Sequence, residues 1–162
     1  MKTLLLLRHA KSSWANDRLS DFERPLNDRG RHDAPRIGKL IRQHDLTPAK
    51  IISSSAKRAA STAKLVALDA SFDGDIQYTE QLYLAEPATY ISLARQCDDS
   101  IDILMLVGHN PGIEQTVELL TGIEEQMPTA ALACIRLPID RWSELGTGKG
   151  YALESLWRPK EL

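Results

Sequence analysis

Three short polar clusters stand directly after apolar runs, and between them they hold the residue types needed to handle a phosphoryl group. Arg8-His9 closes the run Thr3-Leu4-Leu5-Leu6-Leu7, Ser53-Ser54-Ser55-Ala56-Lys57-Arg58 follows Lys50-Ile51-Ile52, and Gly108-His109-Asn110 closes a run that begins at Ile101. Two guanidinium forks can grip phosphoryl oxygens bidentately and offset the charge that builds in the transition state. A neutral imidazole can attack phosphorus directly, giving a phosphohistidine that water later hydrolyses. His9 is the candidate nucleophile. With an ordinary pKa of roughly 6.5, it is kept neutral at pH 7 by nearby arginines. His109 is then expected to donate a hydrogen bond to the phosphoryl oxygens, with Arg8 and Arg58 completing the catalytic set.

Each cluster alone has a plainer explanation. An isolated Arg-His pair is more often an exposed strand end, Arg58 alone reads as a solvated helix residue, and His109 alone as a structural group beside a helix cap. What changes the odds is shared geometry. If the three runs are parallel strands, their carboxyl ends meet on one edge of a sheet, which is where open α/β sheets place ligands.

The rest of the pattern supplies such a sheet. A polar, aperiodic loop covers 10–25, and an Asn27 or Asp28 cap opens a helix with Ala34, Ile37, Leu40 and Ile41 at helical spacing, its first turn weakened by Gly30 and Pro35. A strand over 50–55 leads into a helix over 56–68, followed by a brief edge strand at 76–78, a loop at 80–85 and a helix over 87–95. The strand at 101–108 runs into a helix that Asn110 caps and Pro111 begins. Two final strands, 129–137 and 150–157, flank a turn-rich stretch. The alternation predicts a three-layer α/β/α sandwich with a largely parallel sheet, as one domain over 1–162.

Totals narrow the function further. With 20 basic and 22 acidic residues the formal charge is -2, which argues against a nucleic-acid partner. Cys97 and Cys134 lack paired spacing and read as reduced packing residues, and the leucine run is too short for a leader or a membrane span. A soluble, cytoplasmic protein with no membrane partner is expected. Neither histidine has a carboxylate or cysteine at ligand spacing, so no metal or other cofactor is expected. The serines lack a Ser-His-Asp order and read as loop and cap residues. His32 and His44 carry no assigned role.

The stretches Leu7-Arg8-His9-Ala10-Lys11-Ser12-Ser13-Trp14, Glu23-Arg24-Pro25-Leu26-Asn27-Asp28-Arg29-Gly30, Ser53 to Ala63 and Val107-Gly108-His109-Asn110-Pro111-Gly112 resemble the histidine phosphatase superfamily, which has the phosphoglycerate mutase-like fold. The short chain and its Arg-His-Ala-Lys-Ser opening are most similar to the SixA-like phosphohistidine phosphatases. The resemblance implies that His9 becomes phosphorylated, that Arg8, Arg58 and His109 complete the phosphate pocket, and that Arg24 assists from the loop. Ser12 and Asn110 are further substrate-binding candidates. Ala10 replaces the glycine commoner in the superfamily, and Ala15 stands where many members carry asparagine. Glu80 and Glu86 are the candidates for the proton donor of ester-cleaving members, although SixA-like members lack a dedicated acid. That fits a phosphohistidine substrate, whose P–N bond is labile, better than an ester, whose alkoxide leaving group needs a proton. The implied substrate is a phosphorylated protein, with a small phosphorylated molecule and a non-catalytic phosphate-binding module as alternatives. Oligomeric state stays open.

Overall fold

The computed structural model describes all residues from Met1 to Leu162. Its strands are β1 (Lys2–Arg8), β2 (Lys50–Ser54), β3 (Gln77–Thr79), β4 (Ile103–Gly108), β5 (Leu132–Leu137) and β6 (Ala152–Trp157). Its helices are α1 (Asp28–Gln43), α2 (Lys57–Asp69), α3 (Pro87–Arg95) and α4 (Gly112–Thr121). The strands form one sheet in the order β3-β2-β4-β1-β5-β6. β1, β2, β3 and β4 are parallel neighbours, whereas β5 runs antiparallel to both β1 and β6.

The leucine run explains the layers. Successive strand side chains point to opposite faces. Leu4 and Leu6 therefore join one buried cluster with Tyr90 and Ile91 of α3 and Ile113, Val117 and Leu120 of α4. Leu5 and Leu7 join the other, with Ile37 and Ile41 of α1 and Ala63 and Val66 of α2. A strand covered on both faces must be apolar at every position, and that is why the first strand reads as an unbroken run. No helix is long and apolar enough to cross a membrane.

Several boundaries differ from the sequence expectation. The final strands begin later, at Leu132 and Ala152; the first of them is held back by a turn from Pro128 to Ala131 in which the Ala131 amide donates to the Pro128 carbonyl. The expected loop at 80–85 contains a short 3-10 helix, Glu80–Leu82, opened by the Thr79 hydroxyl accepting from the Gln81 amide. Asn27 does cap α1, its side chain accepting from the Gly30 amide, but Pro35 lies well inside that helix rather than in its first turn. The buried stripe of Ala34, Ile37, Leu40 and Ile41 holds α1 together through the missing donor. Gly30 has a separate reason to be small. A Cβ there would lie 2.2 Å from the Lys11 carbonyl oxygen, so glycine lets α1 sit directly on the chain leaving His9.

Gly108 has a similar role at the end of β4, where a Cβ would come within 2.0 Å of the Tyr90 hydroxyl oxygen. Gly108→Ala is expected to cost about 1–3 kcal/mol through overpacking, seen as a thermal midpoint lower by several degrees. An unchanged melting curve would show that Tyr90 moves aside freely.

Candidate active site

The sheet order puts β2, β4 and β1 side by side, so the three polar clusters meet at their common carboxyl edge. A cavity of about 380 Å3 opens there, and Arg8, His9, Ser12, Arg24, Arg58, His109 and Asn110 all line it. Lys11, Trp14, Asp21, Leu84 and Thr129 complete the wall. Glu80 and Glu86 do not line it; both are exposed, Glu80 at the start of the short helix Glu80–Leu82 and Glu86 just before α3. A larger groove of about 810 Å3 beside α4 is lined by five glutamates and a single arginine, the wrong sign for a phosphate.

His9 is held by its own backbone. Its amide donates to the Gly108 carbonyl at 3.0 Å and its carbonyl accepts from the Ala130 amide at 3.0 Å, so the residue is pinned between β4 and the turn before β5. The ring nitrogen Nδ1 lies 2.7 Å from the Ala10 carbonyl oxygen. A carbonyl can only accept, so Nδ1 carries the proton and Nε2 keeps its lone pair, the state a nucleophile needs. The Ala10 amide in turn donates to Thr62 Oγ1, which donates to the Arg58 carbonyl, coupling the nucleophile's loop to the start of α2. Burial pushes the His9 pKa down to about 3, opposed by the Ala10 hydrogen bond and reinforced by His109, Arg58 and Arg8. His109 is lowered to about 4, again chiefly by burial and then by Arg58. The two rings lie 5.1 Å apart, centroid to centroid.

Both imidazoles are therefore neutral at pH 7, and this has a measurable consequence for stability. Between an unfolded value of roughly 6.5 and the folded values, the unfolded chain binds more protons than the native one. Stability therefore falls as pH falls through that window, by up to about 1.4 kcal/mol per pH unit for each histidine, and above it these groups contribute no slope. Denaturant unfolding at pH 7.5, 6 and 5 measures it. The slope should flatten in a His9→Gln, His109→Gln double variant; a slope unchanged by both replacements would assign it elsewhere.

The arginines are arranged differently from one another. Arg8 donates from Nη1 to the Met127 carbonyl at 3.1 Å, while its buried Nε has no partner. Burial pulls its pKa down. Asn110 supports that carbonyl rather than facing the cavity freely: its Nδ2 donates to Met127 O at 3.0 Å and to Glu114 Oε1 at 2.9 Å. The expected N-cap role of Asn110 shifts accordingly, since α4 starts only at Gly112 with Pro111 before it. Arg24 is spent within its loop. Nε donates to the Ser13 carbonyl, Nη1 to Asp21 and Nη2 to Ser12 Oγ, and the guanidinium lies 3.2 Å from the Trp14 ring centre. Ser12 and Arg24 thus shape the loop over 10–25 that forms one side of the cavity.

Asp21 is the functional-site residue that sequence reading missed. Its Oδ2 accepts from Arg58 Nη2 at 3.0 Å and from the Tyr83 hydroxyl at 2.5 Å, and its backbone carbonyl accepts from Arg58 Nη1 at 2.6 Å. The Tyr83 hydrogen bond, joined by those from Arg58 and Arg24, lowers its pKa to about 2. Tyr83 also sets its ring edge-on to His109, with centroids 5.5 Å apart. The one sequence signal was the i, i+3 spacing of Asp21 and Arg24, too common to single out.

A neutral imidazole with a free Nε2, buried beside two cationic forks, can take a phosphoryl group and pass it to water. Residues 4–83 match the model of the histidine phosphatase superfamily (branch 1). The structure of the protein assigned as phosphohistidine phosphatase SixA of Agrobacterium tumefaciens is 31% identical, superimposes with a TM-score of 0.83 and covers 98% of each chain. The chain belongs to the histidine phosphatase superfamily, and it is a phosphatase. An uncharacterized protein of Mycobacterium leprae is 30% identical over 86% of this chain and 91% of its own length. The protein histidine phosphatase SixA solved with tungstate shares the fold, with a TM-score of 0.83 at 15% identity and 98% of each chain covered.

Proposed function

We propose that this phosphatase acts on phosphohistidine carried by a protein. One observation carries the reading: the cavity's only carboxylate, Asp21, is held ionised by Tyr83 and two arginines. An ionised carboxylate has no proton to give an alkoxide, so no carboxylic acid of the wall can protonate an ester's leaving group. Phosphohistidine does not need that proton, because a ring protonated on its free nitrogen leaves as neutral imidazole.

In the proposed reaction the substrate ring carries a proton on its free nitrogen. His9 Nε2 attacks phosphorus as the substrate's P–N bond breaks, the electron pair of that bond leaves with the substrate as neutral imidazole, and His9 keeps its own proton on Nδ1. Arg8 and Arg58 neutralise the phosphoryl oxygens, and His109 donates a hydrogen bond to them. Water then attacks phospho-His9, the new P–N bond breaks, inorganic phosphate departs and the neutral imidazole returns. The exposed Trp14, stacked on Arg24 at the rim, offers a surface for the protein that carries the substrate. A cytoplasmic location belongs to the same proposal, supported by two buried cysteines that are unpaired.

The test compares kcat/KM for a phosphohistidine-bearing protein with that for phosphoserine and sugar phosphates. A preference of at least about 100-fold for phosphohistidine is expected, given the size of effects ascribed to a missing general acid. Equal or faster ester hydrolysis would replace this reading with that of a small-molecule phosphomonoesterase.

A further inference from the structure

We propose that Ser54 is a positioning residue that fixes His109 in the tautomer carrying its proton on Nδ1, making that ring a hydrogen-bond donor to the phosphoryl group. The inference rests on the reading of His109 as a phosphoryl ligand and adds the residue that sets its state.

The assignment follows from counting donors and acceptors around two buried side chains. Ser54 is fully buried and His109 is 1% exposed. Ser54 Oγ lies 2.8 Å from His109 Nε2 and 3.2 Å from the Ala56 amide nitrogen. The amide can only donate, so one lone pair of Oγ is taken. The hydroxyl proton then has a single acceptor within reach, His109 Nε2. The neighbouring Ser53 hydroxyl is directed elsewhere, to the Ser54 carbonyl at 2.9 Å.

The opposite arrangement fails twice. If Nε2 carried the proton and donated to Oγ, the Ser54 hydroxyl proton would be buried without an acceptor, at a cost of about 1–3 kcal/mol. His109 Nδ1, which is buried and has no partner, would also present a bare lone pair. A lone pair repels a phosphoryl oxygen, whereas an N–H attracts it. With Ser54 donating, Nδ1–H is the unsatisfied buried donor, in a ring that lines the cavity 5.1 Å from the nucleophile's ring. An unsatisfied donor at a buried site is what an anionic ligand completes.

The arrangement also explains how the sequence codes for it. Ser54 ends β2 beside β4, which ends at Gly108, so the two groups meet across adjacent parallel strands. The Ala56 amide that fixes the hydroxyl comes from the residue just before α2. The His109 backbone amide is held independently by the Tyr90 hydroxyl at 3.1 Å, and the ring's one hydrogen bond within the protein is to Ser54.

The test is nitrogen-15 NMR of the histidine rings, with inorganic phosphate as the probe, on wild type, Ser54→Ala and Ser54→Thr. In wild type, His109 should show a protonated Nδ1 and an unprotonated Nε2, and phosphate should move the Nδ1 resonance most. Ser54→Ala should shift the ring toward the Nε2–H form and lower kcat by about 10- to 100-fold with little change in KM, since a mis-set donor is lost mainly from the transition state. Ser54→Thr keeps the hydroxyl and should restore both the tautomer and most of the rate. A protonated Nε2 in wild type overturns the proposal, and that spectrum decides it even if Ser54→Ala does not fold. An Nδ1–H tautomer that survives in Ser54→Ala also overturns it. Faster turnover of esters than of phosphohistidine would defeat the substrate reading and leave the tautomer result standing.

Discussion

His9→Ala is expected to abolish turnover, with a fall in kcat on the order of 10^4- to 10^6-fold, the scale seen when a covalent nucleophile is removed. The surrounding donors would still bind a phosphoryl group, because Arg8, Arg58 and His109 are anchored by contacts that do not involve the His9 ring. What disappears is the only lone pair positioned for attack. Rapid quenching at high pH, where phosphohistidine persists, should trap labelled phosphoenzyme in wild type and none in the variant. The substitution should do little harm to the fold, since the anchoring hydrogen bonds of residue 9 are backbone bonds. Full activity in this variant would remove His9 from the mechanism.

Arg58→Ala is expected to lower kcat/KM by about 10^3-fold or more, in the range found for arginines that stabilise a transferring phosphoryl group. The loss has two parts with the same sign. A cationic fork leaves, and Asp21 loses its Arg58 partner and keeps only Arg24 and Tyr83 as side-chain donors in a cavity meant for an anion. The second part can be measured separately. Adding Asp21→Asn to Arg58→Ala should recover some of the lost binding, giving a coupling that a double-mutant cycle isolates. Arg58→Lys should fall between wild type and Arg58→Ala, because an ammonium restores charge without the two-pronged geometry. If Asp21→Asn brings no recovery, the carboxylate does not oppose the substrate's charge.

Much of this was legible in the sequence because it depends on local rules. A strand buried on both faces has to be an unbroken apolar run, so β1 and β4 announced themselves, and parallel strands bring their carboxyl ends together. His9, Arg58 and His109 were readable for that reason alone. The residues that escaped notice lie where no periodicity operates. Asp21 belongs to a loop that folds back over the cavity, and its meeting with Arg58 and Tyr83 spans 37 and 62 residues of chain. Ser54 was visible as a strand end and a cap, yet its partner His109 is 55 residues away. Asn110 and Arg24 carried the right chemistry for binding, but the fold spends much of their capacity on Met127, Glu114, Asp21 and the Ser12–Ser13 backbone and hydroxyl groups. Glu80 opens the short helix at Glu80–Leu82 and Glu86 stands just before α3, and neither reaches the cavity wall.

The pairing of Asp21 with Arg58 bears on how each cycle ends. A site built only from cations would hold its free product tightly, and departure of inorganic phosphate would then limit the rate. Here an ionised carboxylate already pairs with the Arg58 guanidinium, so the positive charge of the pocket is partly neutralised. Weak retention of product is the expected consequence of the contact that also holds the loop in place, and tighter inhibition by inorganic phosphate in Asp21→Asn would show it.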